Sequence, residues 1–307
     1  MTMDIVGHRN IFYIISGALL LGALVAVLVF GLRLGVDFTG GSLVEVSFAP
    51  ARPPVADLAG RLTPMFGAVR LQPTGERGLI LRLRHLSEAE HQELLRVLGP
   101  AGSGIIEKRF DTVGPTIGGE LRRKSILAIA IVMLLIVSYI TWAFRTVSAP
   151  AAPGRSAGLA SWKYGVTTVI ALLHDVLIPT GFFAVAGRLY GFEVETLFVT
   201  AIFTILGLSV HDTIVVFDSI RENLKKSRSP GDFGALVNAS VRETLVRSIN
   251  TSLTVALAMV AVYLLGGATT KIFSLTLVIG VIAGTYSSIF IASPLLVTWY
   301  ERQGGRA

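Results

Sequence analysis

The chain contains no cysteine, which excludes disulfide staples and thiolate metal sites and leaves the compartment open. Charge is scarce as well. Only 15% of the 307 residues are Asp, Glu, Lys or Arg, against 52% hydrophobic, and the mean hydropathy is +0.68. A soluble domain carries about a quarter charged residues, so this chain is too apolar for that class and too long for a single anchor. It reads as a multi-span membrane protein. No GK[ST] follows the glycine-rich residues 35–42, GVDFTGGS, and no helix signal opens behind them, so a phosphate-binding loop is not expected. The better account is a sharp backbone turn out of a membrane helix. Nucleophile triads, zinc motifs and nucleotide fingerprints are also missing, so the expectation is no enzyme, no cofactor and no metal. The formal charge of +7 is spread over the soluble segment and the short loops rather than one face, which argues against a nucleic-acid partner.

What is present is organised around residues 196–223, TLFVTAIFTILGLSVHDTIVVFDSIREN. Nothing is charged as far as Val210; then His211, Asp212 and Asp218 arrive before Arg221, Glu222 and Asn223. In a helix, Asp212 lies about 24 Å along from Thr196 in a hydrocarbon layer about 30 Å thick. It is therefore inside the span, where an Asp costs about 2.5 to 3.5 kcal/mol and marks either a working site or a hydrogen bond to a neighbouring helix. Asp218 falls beside Arg221 near the helix exit, where an interfacial charge costs little. The two carboxylates sit about 240° apart around the helix and do not form a dyad.

Five more apolar stretches accompany this one. Residues 11–31 form a retained first span rather than a signal peptide; residues 125–144, 165–187, 251–265 and 272–299 form spans two, three, five and six. The third holds His174 and Asp175 about 15 Å in from its end, with Pro179 one turn later. Asp175 reads either as a functional relay or as a helix-packing partner. Gly280 and Gly284 give the sixth span a small-xxx-small face. Residues 146–163 read as a flexible small-residue linker, and residues 221–246 as a polar linker with a helical stretch from Gly234.

Residues 43–119 are the sizeable soluble segment. Val44, Val46 and Phe48 alternate with polar residues, as do Leu79, Leu81 and Leu83, giving two half-buried strands; residues 68–72 and 105–112 read as two more. Residues 54–66 have helical spacing, and Ser87 with Glu90 opens a second helix as a capping box. The order β-α-β-β-α-β predicts a ferredoxin-like sandwich. Its His85, Glu88, Glu90 and His91 lack a convincing metal-ligand spacing. The expected fold is an α-helical polytopic membrane protein of six transmembrane helices, with an α+β ferredoxin-like domain (residues 34–121) inserted between helices 1 and 2.

Counting basic residues orients the chain. One set of loops and ends carries Arg9, Arg145, Arg155 and Lys163, six more between Arg221 and Arg247, and Arg302 and Arg306; the opposite short loops keep Arg188 and Lys271. The richer side is expected to be cytoplasmic, with both termini on it and the soluble segment outside. Asp212 and Arg247 then fall at similar depth. A carboxylate that exchanges protons needs a countercharge that can approach and leave, so these two form the natural pair.

The strings GVDFTGG (35–41), VGPTIGGEL (113–121), HDV (174–176), GLSVHDTIVVFDSIREN (207–223) and RSINTSLT (247–254) occur in this order across nearly the whole chain. Together they resemble the SecD/SecF family of bacterial protein-export membrane proteins, its SecF branch in particular, within the resistance-nodulation-division superfamily. The resemblance implies a periplasmic domain that contacts unfolded exported polypeptide, a place in the bacterial inner membrane, and use of the proton motive force with SecD for late, ATP-independent steps of preprotein translocation. It implies SecD, the SecYEG channel and YajC or YidC as partners beside protons and lipid. It puts Asp212 in the place of the family's proton-carrying aspartate and Arg247 in that of its essential arginine. Asp175 and Asp218 are secondary candidates, with His174, His211, Thr213 and Asn250 as supporting polar residues. The chain departs from the family at His211, where Asn is usual, at Ser219, where Arg is usual, and in its longer second loop, which lacks the usual Arg-Phe-Glu-Trp-Arg run. His211 reads either as a group that titrates near neutral pH and modifies the relay or as a polar packing residue near the interface. A passive translocon scaffold and half of a proton-coupled small-molecule exporter are the alternatives.

Overall fold

A computed structural model describes residues 4–99, 104–145, 161–226 and 232–302. In chain order the elements are α1 (Arg9–Phe30), α2 (Val36–Thr39), β1 (Gly41–Ser47), α3 (Val55–Phe66), β2 (Arg70–Thr74), β3 (Gly78–Leu83), α4 (Glu88–Leu98), β4 (Ile106–Val113) and α5 (Pro115–Ala143). They are followed by α6 (Ser161–Tyr190), α7 (Thr196–Lys226), α8 (Phe233–Leu265), α9 (Ala268–Ser287), a π-helical turn (Ser288–Ala292) and α10 (Ser293–Glu301). These fall into two compact units. One holds residues 34–127 and 193–196; the other holds the rest.

The second unit is helical. Among the described residues, six helices are long and apolar enough to cross a membrane: α1, α5, α6, α7, α8 and the continuous run from Thr270 to Glu301. Of these, α6, α7 and the last run are half buried or more, whereas α1, α5 and α8 leave most of their apolar surface uncovered. Helix α7 packs closely on α9 through the small residues of the sixth span. A Cβ on Gly280 would collide with Ile205, and one on Gly284 would lie 3.0 Å from Ser209 Cβ. The glycines therefore set the approach of the two backbones.

Several helices are longer than the apolar stretches that announce them. Helix α5 opens at Pro115, which suits a first helical position, and runs through Arg122, Arg123 and Lys124 before the apolar stretch begins. Helix α8 is continuous for 33 residues, so the expected helical stretch from Gly234 runs unbroken into the fifth span, and α7 continues to Lys226. Neither α7 nor α8 contains proline, and Asp232 caps α8 by accepting from the Ala235 N–H at 3.0 Å. Of the expected linker at 146–163, residues 146–160 lie outside the described residues, and 161–163 form the first turn of α6. The π-helical turn is a further departure. Pro294 has no N–H for the carbonyl one turn back, the ladder widens there, and Ser293 Oγ donates to the Ser288 carbonyl at 2.9 Å.

The other unit is an antiparallel four-stranded sheet in the order β2-β3-β1-β4, with the element order β-α-β-β-α-β. Its core lies between the sheet and α3 and α4, where Leu58, Leu62, Phe66, Leu94 and Leu98 meet Val44, Val46, Leu79 and Leu81. Period-two alternation sends Leu43, Glu45, Ile80 and Arg82 to the opposite face. Strand β2 begins two residues later than the sequence predicts, and the GVDFTGG string contains a one-turn helix, α2, that it does not announce. Gly40, at φ 74°, passes so close to α5 that a Cβ would lie 2.6 Å from Pro115 Cα, and one on Gly118 would lie 2.8 Å from Gly40 N. The two glycine-bearing strings are thus complementary surfaces.

The capping box forms as the sequence predicts. Ser87 Oγ accepts from the Glu90 N–H at 3.4 Å, and Glu90 Oε2 accepts from the Ser87 N–H at 2.8 Å. Hydrogen bonds from Arg84 and Ser87 hold the Glu90 carboxyl down from 4.5 to about 2. Because its folded value is depressed, Glu90 supports the cap fully above 4.5 and loses that support as the pH falls toward 2. Ser87→Ala is expected to weaken the start of α4 by about 1 kcal/mol. Hydrogen exchange at the Glu90 and His91 amides should quicken about fivefold, with the α3 amides unchanged.

Candidate functional site

Two carboxylates stand inside the helical unit, and the packing treats them differently. Asp175, on α6, has no solvent exposure. Its Oδ2 accepts from Ser209 Oγ of α7 and from Ser287 Oγ of α9, the latter at 2.8 Å, and its Oδ1 lies 3.0 Å from His174 Nδ1. The His174 ring is held in turn against Tyr286 of α9, with ring centroids 5.9 Å apart. Three helices therefore converge on one carboxylate with donors at good range, the arrangement of a packed acceptor that locks α6, α7 and α9 together.

Asp212 is 6% exposed and only loosely held. Ser252 Oγ of α8 and Thr285 Oγ1 of α9 stand 3.4 and 3.5 Å from its Oδ2, and these two hydroxyls are hydrogen-bonded to each other. Those distances are long for a hydroxyl to a carboxylate, which prefers about 2.5 to 2.7 Å. His211 Nδ1 lies 3.7 Å from Oδ1, beyond hydrogen-bond range.

The expected partner is elsewhere. Arg247 is exposed on α8, and among the described residues no Lys or Arg makes an ion pair with Asp212. The physical reason is helical register. Ser248 and Ser252, one turn apart, form the stripe of α8 that points inward, and Arg247 stands about 100° around from Ser248. Similar depth brought the two residues level without bringing them together.

The remaining candidates separate in the same way. Thr213 is buried and its Oγ1 pairs with Ser288 Oγ at 2.8 Å. Ser288 Oγ also reaches the Ser209 carbonyl at 3.5 Å, and Ser209, Asp212 and Thr213 share one face of α7. His211 and Asp218 keep side chains 65% and 63% exposed, and Asp218 lies 3.5 Å from Arg221. Asn250 is exposed, and its backbone carbonyl accepts from Thr254. Ser209, Ser252, Thr285, Ser287 and Ser288 complete the site and escaped the sequence reading. The signal was available: hydroxyl residues inside spans, three or four positions from a carboxylate or beside a small-residue face.

A model described as protein export membrane protein SecD/SecF, C-terminal, matches residues 96–153 and 160–302, and a model of the SecD/SecF GG motif matches residues 25–51. The chain is 43% identical to the protein translocase subunit SecF of Thermobaculum terrenum over 98% of its own length and 95% of that protein's. It is 39% identical to the SecF of Anaerolinea thermophila, covering 97% and 94%. The crystal structure of SecDF, a translocon-associated membrane protein from Thermus thermophilus, superposes with a TM-score of 0.81 at 31% identity, covering 98% of this chain and 39% of that longer one.

Ser287→Ala removes one of the three donors around the fully buried Asp175 and is expected to cost about 1 to 3 kcal/mol. Thermal unfolding of the purified protein in detergent should show the loss. Asn250→Ala, at an exposed position, should leave the midpoint unchanged.

Proposed function

Because the chain belongs to the SecD/SecF family of protein-export membrane proteins, we propose that it works as a SecF subunit beside SecD, using the proton motive force to drive late, ATP-independent steps of preprotein translocation. Asp212 carries the proton. The observation that supports this most directly is the state of its carboxylate: within a span, almost buried, paired with no Lys or Arg among the described residues, and met by two hydroxyl groups at long range. A group that must take up and release a proton cannot be locked as Asp175 is, because full satisfaction of one protonation state raises the barrier to the other.

Arg247 is the movable countercharge. Exposed on α8 in this arrangement, it approaches Asp212 in another state of the cycle, which makes pairing and proton occupancy alternatives to one another. One charge crossing 100 mV releases about 2.3 kcal/mol, enough to bias a two-state equilibrium nearly fiftyfold. No covalent catalysis enters this reading.

The α+β unit, with its β2-β3-β1-β4 order, is read as a ferredoxin-like domain on the periplasmic side of the inner membrane, touching emerging unfolded polypeptide. The concentration of Lys and Arg in the opposite loops and at both ends supports this orientation, with the termini cytoplasmic. SecYEG, and YajC or YidC, are the further partners of this reading, and the chain's match to 39% of a SecDF suits a subunit that needs a SecD half.

The test is proton-gradient-dependent completion of protein export in inverted vesicles, at matched expression and matched SecD assembly. Asp212→Asn is expected to assemble and to lose the gradient-dependent part while keeping the gradient-independent part. Unchanged export in that variant would leave a passive scaffold as the account of this chain. Arg247→Ala should show the same selective loss, and Asp218→Asn should show none.

A further inference from the structure

Of the turn between α6 and α7, Glu193, Val194 and Glu195 belong to the α+β unit, as does Thr196 at the start of α7. Their backbone is docked there. Leu34 and Val194 form a parallel bridge, and the Gly35 N–H donates to the Val194 carbonyl at 2.9 Å. Gly35 leaves no room for a larger residue, since a Cβ would lie 2.7 Å from Glu195 Cγ. Thr196, the first residue of α7, donates its N–H to Asp37 Oδ2 of α2 at 2.8 Å. A carboxylate at that position satisfies an orphan donor of the helix start and matches the positive end of its dipole.

The side chains add a second fastening. Glu193 is 3% exposed, with Arg70 Nη1 at 2.7 Å from one carboxylate oxygen and Arg82 Nε at 2.6 Å from the other. Arg70 and Arg82 face each other across β2 and β3, on the face of the sheet that α3 and α4 leave open. Glu195 completes the cluster: burial pushes its carboxyl up, Asp37 and Glu193 add to that, and Arg82 and Arg109 oppose it. A turn needed only to connect two membrane helices would carry solvated polar residues. A buried anion held by two arginines resists displacement instead, because breaking it strands a charge away from water.

From Thr196 the chain runs into Asp212 as one uninterrupted helix without proline, about 24 Å long. We propose that Glu193 and Asp37 are positioning residues that fasten the start of α7 to the sheet, so that displacement of the helix carrying Asp212 is delivered to the α+β unit. This rests on the reading of Asp212 as the proton carrier.

The experiment uses the full chain assembled with SecD in inverted vesicles and compares Glu193→Gln with wild type and with Asp212→Asn. Glu193→Gln is expected to reduce the gradient-dependent part of export at least about fivefold, the lower end of coupling between linked sites, with assembly and gradient-independent export unchanged. The absence of native cysteine then allows a rescue. Leu34→Cys and Val194→Cys, added to Glu193→Gln and oxidised, refasten the turn covalently and should restore the gradient response; reduction should remove it again. A purely local role for the Glu193 charge would not be rescued in this way. Full gradient response in Glu193→Gln, or no rescue by the oxidised pair, overturns the proposal. Should Glu193→Gln fail to assemble, Arg70→Gln, which removes only the more exposed partner, must give a partial loss that the same cysteine pair repairs, and no loss there overturns the proposal equally. The two readings fail separately: full response in Asp212→Asn removes the proton-carrier reading, whereas loss in Asp212→Asn with full response in Glu193→Gln removes the fastening alone.

Discussion

A carboxylate without solvent contact in the middle of a helical bundle must be met by donors from its neighbours or it costs several kcal/mol, and Asp175 is met from three sides. Much of the helical unit follows from that requirement. Ser209 must face α6, Ser287 must face α6, and the backbones of α7 and α9 must come close enough for both hydroxyls to reach one carboxylate. Gly280 and Gly284 permit that approach, where any Cβ would press against Ile205 or Ser209. The π-helical turn begins one residue after Ser287, so the same stretch of the sixth span that supplies a donor also changes its winding. Hydrogen bonding, rather than a hydrophobic drive that lipid would cancel, holds this centre.

Against that fixed acceptor, the looseness of Asp212 acquires meaning. Both carboxylates lie in spans and both are largely buried, yet only one has donors at full strength. The difference comes from the register of α8, which offers Ser252 rather than Arg247. Serines of two neighbouring helices satisfy Asp175, whereas the Ser252 and Thr285 hydroxyls stand at long range from Asp212.

The same helix meets a different solution at its other end. Its first N–H is taken by Asp37, and the turn before it is pinned by a buried glutamate between two arginines. Helix α7 thus carries a weakly held carboxyl group in its middle and a strongly held start, joined by continuous α-helix.

By itself the sequence determined the features that depend on local pattern and on the bilayer. Six apolar runs, the alternation of Val44, Val46, Leu79 and Leu81, the Ser87 and Glu90 cap, and the place of Asp175 and Asp212 within apolar helices were legible because hydrophobic period and capping chemistry are properties of neighbouring residues. The extension of α5 back to Pro115, and the joining of the stretch from Gly234 to the fifth span in one helix, were not, since a polar stretch can continue a helix as readily as end it. The site shows the same division. Both carboxylates were found from their solvation cost, but which side chains meet them depends on the rotation of each helix about its own axis. That rotation replaced Arg247 by Ser252 and brought in Thr285 and Ser287 from seventy or more residues away. The tertiary structure alone set it, because no local rule relates the azimuth of one span to that of another.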